Sequence, residues 1–294
     1  MSILWLGEPN SDNISMVGGK FAHLSALSES YPVPPGFAVT AEAFDQAMSG
    51  GFPQDSTAGQ RHLIPEALYG LIASSYRALS ELCEQDQISV AVRSSAMDED
   101  GMSASFAGQH DTFLNVIGEH AVAKAIADCW RSVYSPHVLE YRRRLGLPLD
   151  NMKMATLVQQ LLPAEISSVV FGANPITGNL EEITINASWG LGESIVAGTV
   201  TPDTFTIRKA DMEIITAEIG EKASMTVPIP GGTHEIDVPM ELQRQPSITN
   251  EQAIEMARLA VELEAKMGWP VDIECAYYEE HLYLLQCRPI TTLR

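Results

Sequence analysis

Cations are scarce in this chain. Its 294 residues hold 18 lysines and arginines against 38 aspartates and glutamates, a formal net charge of −20. That balance excludes a broad nucleic-acid-binding surface, whose affinity comes from cations laid along phosphates. Part of the acidity keeps the surface soluble. An acidic protein that binds an anion must concentrate its few cations locally, so Lys20, Arg93 and Arg288 draw notice. Cysteine is sparse too: Cys83, Cys129, Cys275 and Cys287 form no CxxC pair and read as reduced core thiols. The seven histidines are scattered and show no paired metal-ligand spacing. No apolar run reaches 18 residues and no signal peptide appears, which points away from membrane and export and towards the cytoplasm. No internal repeat or low-complexity tract stands out. What is present, 45% hydrophobic and 19% charged residues, suits a large core or two lobes.

The most informative stretch runs from Ala91-Val-Arg-Ser-Ser-Ala96 through Ser105-Phe-Ala-Gly-Gln-His110 to Asn115. An apolar strand ends at Arg93, a loop of small residues and carboxylates follows, and a second strand begins after Gly108-Gln109. Backbone N–H groups of such a loop can wrap phosphate oxygens, and an arginine fork can hold them bidentately. A hairpin with an exposed Ser/Gly/Asp loop reads equally well from this stretch alone.

The C-terminal end reads as a hairpin, Asp272-Ile-Glu274-Cys-Ala-Tyr-Tyr278 and Leu282-Tyr-Leu-Leu-Gln286-Cys-Arg288 around Glu279-Glu280-His281. A three-residue loop pairs Tyr278 with Leu282, sets Glu274 opposite Gln286, and sets Asp272 opposite Arg288. A two-residue loop sets Glu274 against Leu285 and mixes the faces. In the three-residue register four polar groups share one face, and Ile273, Cys275, Tyr283, Leu285 and Cys287 share the other. Two carboxylates and an amide oxygen suit Mg²⁺, and the arginine suits a polyphosphate. A solvated face with cross-strand ion pairs is the plainer reading of the hairpin alone.

Elsewhere, Gly18-Gly19-Lys20 precedes an apolar stripe of Phe21, Leu24 and Leu27, so the two glycines free the backbone at a helix N-terminus. Thr40 caps a helix from 41 to about 48, and a helix is expected from 65 to about 84. Two helices, 121–134 and 136–145, break at Ser135-Pro136. Strands are expected at 156–162, 169–171, 182–187 and 204–208. A helix from about 250 to 267 has a capping box in Thr249-Asn-Glu-Gln252 and a stop at Gly268. The sum is an α+β protein in two lobes, 1–160 and 161–294.

These segments together resemble one family. The chain is similar to the N-terminal nucleotide-binding domain of phosphoenolpyruvate synthase, pyruvate phosphate dikinase and rifampicin phosphotransferase. The resemblance rests on Val17-Gly-Gly-Lys20, Val33-Pro-Pro-Gly36, the Arg93 block and Cys129-Trp-Arg131. It continues through Val158-Gln-Gln-Leu-Leu162, Ala173-Asn-Pro-Ile-Thr-Gly178, Ser188-Trp-Gly-Leu-Gly-Glu193, Val200-Thr-Pro-Asp203 and the hairpin ending Gln286-Cys-Arg-Pro289. It implies an ATP-grasp-like fold with the nucleotide between two lobes. By the same resemblance, Lys20 and Arg93 hold ATP phosphates, and Gly108, Gln109 and Thr112 close over them. Gln160 and Leu162 meet the adenine edge, and Glu274 and Gln286 ligate Mg²⁺ with help from Asp272. Arg288 grips the transferring phosphates. Two departures, Ser168 for a common glycine and Gly172 for a threonine, are expected in the second-lobe wall near the nucleotide.

In the family a mobile domain carries a phosphorylatable histidine and a third domain binds the acceptor. No Thr-Ser-His-like motif appears here. The implied role is the AMP-forming half-reaction, with the histidine and acceptor domains on a partner chain. Two other classes stay open: an ATP-dependent ligase forming an acyl phosphate, and a nucleotide-binding module without turnover.

Overall fold

The computed structural model describes residues 1–49, 64–97, 100–101, 104–105, 111–149 and 152–291. In chain order the elements are β1 (Ile3–Trp5), α1 (Ile14–Ser28), β2 (Gly36–Val39), α2 (Ala41–Met48), α3 (Glu66–Leu82) and β3 (Val90–Ala96). Then come β4 (Asp100–Gly101), β5 (Ala104–Ser105), β6 (Thr112–Val116), α4 (Glu119–Ser132), α5 (Pro136–Arg144), β7 (Met154–Gln160) and β8 (Ile166–Phe171). The rest are β9 (Glu182–Trp189), α6 (Glu193–Val196), β10 (Asp203–Arg208), β11 (Ile214–Glu218), β12 (Ser224–Ile229), β13 (Gly232–Asp237), α7 (Asn250–Met267), β14 (Val271–Tyr278) and β15 (His281–Pro289). The protein is α+β.

The chain divides into two compact units. One holds Met1–Glu29, Pro35–Asp100 and Phe106–Leu161; the other holds Ser30–Pro34, Gly101–Ser105 and Leu162–Arg294. The first contains an antiparallel sheet in the order β1-β2-β7-β3-β6. β3 lies inside it, and its near-continuous burial fits a strand covered on both faces. One face packs on α3 and α4 through Phe37, Val92, Val158, Ile126 and Trp130. The strand runs three residues past Arg93, to Ala96, where the sequence suggests a loop. Ser94, Ser95 and Ala96 pair with Thr156, Ala155 and Met154 of β7, so the ladder outweighs the loop chemistry of two serines.

The second unit holds a six-stranded antiparallel sheet, β11-β10-β9-β8-β14-β15. Helix α7 packs on one face. It starts at the Thr249–Gln252 capping box and ends at Gly268 in the left-handed conformation (φ 79°). A separate two-stranded arm, β12–β13, has no counterpart in the sequence reading; β13 is mostly polar and exposed.

Candidate nucleotide-binding site

In the first unit the groups converge on β3. Helix α1 starts after an Asn13 cap, earlier than expected, and is broken at Gly18 (φ 73°). The cause is β3: a Cβ on Gly18 would stand 2.0 Å from the Ser95 carbonyl oxygen. Ser95 also repairs the break. Its hydroxyl accepts from the Phe21 N–H (3.2 Å) and donates to the Val17 carbonyl (2.8 Å), the two ends of the missing helical bond. The second helical stretch therefore begins against the strand. Lys20, only 6% exposed, reaches along it and donates from Nζ to the Ser94 carbonyl at 2.9 Å. Arg93 precedes Ser94 and shares the Ser95 face of the strand. Its neighbour on β6 is Thr112, which is exposed. Lys20, Arg93 and Thr112 are thus brought together. Gln160 is not beside them; it pairs with Val90 at the other end of β3 and donates its N–H to the Pro35 carbonyl. Gly108 and Gln109 lie outside the described residues, as does His110.

In the second unit the C-terminal hairpin pairs Asp272 with Arg288 and Glu274 with Gln286, as expected. The loop differs. Tyr278 pairs with His281, so the turn has two residues, Glu279 and Glu280, both at positive φ (50° and 64°). A turn with two left-handed residues matches the twist of a hairpin, and that preference prevails over the poor fit of glutamate. The register is rescued by a bulge after Glu274: Cys275 pairs with Leu284, leaving Leu285 as the extra residue. Leu284, rather than Leu285, therefore joins Cys275 on the apolar face and is 1% exposed. Tyr283 moves to the other face, opposite Ala276.

Asp272 and Arg288 form a partly buried pair. Arg288 Nε and Nη2 both reach Asp272 Oδ2, at 2.9 and 2.8 Å. The carboxylate fixes the guanidinium on the face that carries Glu274 and Gln286, so Asp272 is an orienting group for the arginine. Gln286 is 2% exposed and Glu274 half-buried. Leu162 is buried and its carbonyl accepts from the Ala164 N–H. Among the described residues no group of three His, Cys, Asp or Glu side chains could hold a metal on its own. Ser168 does not line this face. Its hydroxyl donates to the Met256 sulfur of α7 at 2.9 Å, which places it on the helix side with Cys275. Gly172 packs against Val271, where a Cβ would meet the backbone nitrogen at 3.0 Å.

Comparison with known proteins bears on this geometry. Residues 59–294 match the family model described as pyruvate phosphate dikinase, AMP/ATP-binding domain. The chain belongs to that family. Lys20 lies before the matched region, but curated relatives cover it. A probable phosphoenolpyruvate synthase of Methanocaldococcus jannaschii is 37% identical over 99% of this chain and 27% of its own length. The rifampicin phosphotransferase of Streptomyces sviceus is 35% identical over 99% of this chain and 36% of its own. The phosphoenolpyruvate synthase of Pyrococcus furiosus is 34% identical over 99% and 44%. The chain thus spans roughly a quarter to a half of the relatives it matches. A solved acetyl-coenzyme A synthetase from Ca. Korarchaeum cryptofilum covers all of this chain and 94% of its own at 13% identity, with a TM-score of 0.37, too slight a likeness to carry an argument.

Two features of this AMP/ATP-binding domain escape sequence reading. Ser95 looks like a loop serine until the strand places it inside the α1 break. Asp203, in the Val200-Thr-Pro-Asp stretch, forms a fully buried ion pair with Lys222. Its other oxygen accepts from Ser247 N and Oγ (2.6 and 2.7 Å), and Gly220 N donates to the first. The pair ties β10 to the segments flanking the arm and α7. Nothing in the sequence around Lys222 marks it for burial.

Proposed function

We propose that this chain is the ATP-binding component of a dikinase-type phosphotransferase with an ATP-grasp-like fold. It passes phosphoryl and pyrophosphoryl groups from ATP to a histidine on a partner chain or domain and leaves AMP. The observation that carries this reading is the pairing of Asp272 with Arg288 beside Glu274 with Gln286, in a chain of an AMP/ATP-binding family. Phosphoryl transfer needs little covalent help; it needs positioning and compensation of negative charge. Lys20 and Arg93 supply cations to the phosphates, with Thr112, Gly108 and Gln109 beside them. Gln160 and Leu162 offer backbone groups to the adenine edge. Arg288, held by Asp272, takes the transferring phosphates.

The donor set fits Mg²⁺. Glu274 and Gln286 offer a carboxylate and an amide oxygen from opposite strands. That small set suits an ion that keeps waters and takes further oxygens from phosphates. When bound, the ion neutralises charge on the polyphosphate. Asp272, engaged by Arg288, serves it indirectly.

The relatives are longer than this chain, which supports placing the histidine and acceptor parts in additional sequence. The test is incubation with Mg·ATP, with and without a histidine-domain partner, and separation of AMP from ADP by chromatography. AMP formed only with the partner is expected. Robust ADP formation with a small acceptor and no partner contradicts the reading.

A further inference from the structure

We infer that Asn186, oriented by Thr204, donates a hydrogen bond to a phosphate oxygen of the Mg·ATP polyphosphate. This rests on the ATP-binding reading above and extends its site by two strands. The second unit's sheet has two unlike faces. Cys275, Ser168, Ala187 and Phe205 point to the side of α7 and are buried. The other side carries Glu274, and the register extends its row across the sheet. Gln286 pairs with Glu274, Glu274 with Val169, Val169 with Asn186, and Asn186 with Thr204. From Glu274 to Thr204 all four residues are half-buried. The next row, Ala276, Ser167 and Ser188, is buried, and the Ser167 hydroxyl donates to the Gly190 carbonyl. The Glu274 row is therefore an open strip.

Its polar ends are spaced for a metal–phosphate unit. Neighbouring strands lie about 4.8 Å apart, so Glu274 and Asn186 stand about 10 Å apart across one valine. A carboxylate-to-Mg²⁺ bond of about 2 Å and a donor-to-oxygen distance of about 2.9 Å leave room for one phosphate group over Val169. The chemistry of Asn186 is also fixed. Thr204 Oγ1 donates to Asn186 Oδ1 at 3.0 Å, which turns the amide NH₂ away as a donor. An amide donor beside a carboxylate that favours a cation suits an anion bridged to that cation.

The test is calorimetric titration of the whole chain with Mg·ATP and, separately, with AMP. Asn186→Ala, the near-isosteric Asn186→Asp and Thr204→Val are compared with the parent. Mg·ATP affinity should fall more than tenfold in Asn186→Ala, further in Asn186→Asp where a negative charge replaces the donor, and about threefold in Thr204→Val. Thr204→Val should add little on top of Asn186→Ala, because it acts through that side chain. AMP affinity should change less than twofold throughout. Parent-like Mg·ATP affinity in both Asn186 variants overturns the inference and leaves the functional reading standing. Equal losses for Mg·ATP and AMP overturn it as well, since they indicate sheet damage. A parent chain that fails to bind Mg·ATP removes the functional reading and this inference together. Asn186→Asp keeps the shape of the side chain, so the comparison survives if the alanine variant does not fold.

Discussion

Single residues here carry constraints that neighbouring residues do not share. Gly18 is one. Its positive φ and the Ser95 carbonyl pressed on its α-carbon leave no room for a side chain. Gly18→Ala should destabilise the protein by about 2–4 kcal/mol, combining backbone strain with overpacking. Denaturant unfolding measures it, and a loss under about 1 kcal/mol would mean the contact relaxes easily. Lys222 is another. Removing one partner of a fully buried ion pair leaves the other uncompensated, so Lys222→Met should cost about 3–5 kcal/mol. Adding Asp203→Asn should recover part of that loss in the same unfolding assay. No recovery would mean that the Gly220 and Ser247 bonds to the aspartate dominate. Gly18 is legible in the sequence through its neighbour Gly19 and the apolar stripe behind it. Lys222 is not, because burial of a lysine depends on a partner 19 residues away that no local pattern predicts.

At the scale of elements, the hairpin shows what periodicity can and cannot resolve. Alternation of polar and apolar residues identifies the pairs Asp272–Arg288 and Glu274–Gln286 correctly, because only that register keeps one face polar. It misassigns the turn, since a two-residue turn plus a bulge and a three-residue loop give the same pairing at the far end. Local twist decides between them. The helices with caps are legible from sequence: α2 at Thr40, α5 at Ser135-Pro136 and α7 at both ends. The β12–β13 arm is not, because β13 offers a single large apolar residue, Ile236, and β3 reads too short because two serines resemble a loop. The turn also yields a prediction. Glu279→Asn with Glu280→Gly relieves two left-handed glutamates and should stabilise the protein by about 0.5–2 kcal/mol. Thermal unfolding reads the gain; a loss would mean that the glutamates make contacts outweighing their strain.

At the scale of the whole molecule, a chain of net charge −20 keeps three partly or fully buried cations in its two candidate clusters. Lys20 and Arg93 meet at β3, and Arg288 is held by Asp272. Membership in the AMP/ATP-binding family is legible because the ordered motifs run the length of the chain. The orienting role of Ser95 is not, because it depends on a broken helix rather than on residue type. The central proposal is that the cations of each cluster bind nucleotide phosphates. Calorimetric titration of Mg·ATP into Arg93→Ala and Arg288→Ala tests it most directly. Each loss should weaken binding by about 1.5–3 kcal/mol, as for hydrogen bonds to charged groups. Parent-like affinity in both variants would contradict the account.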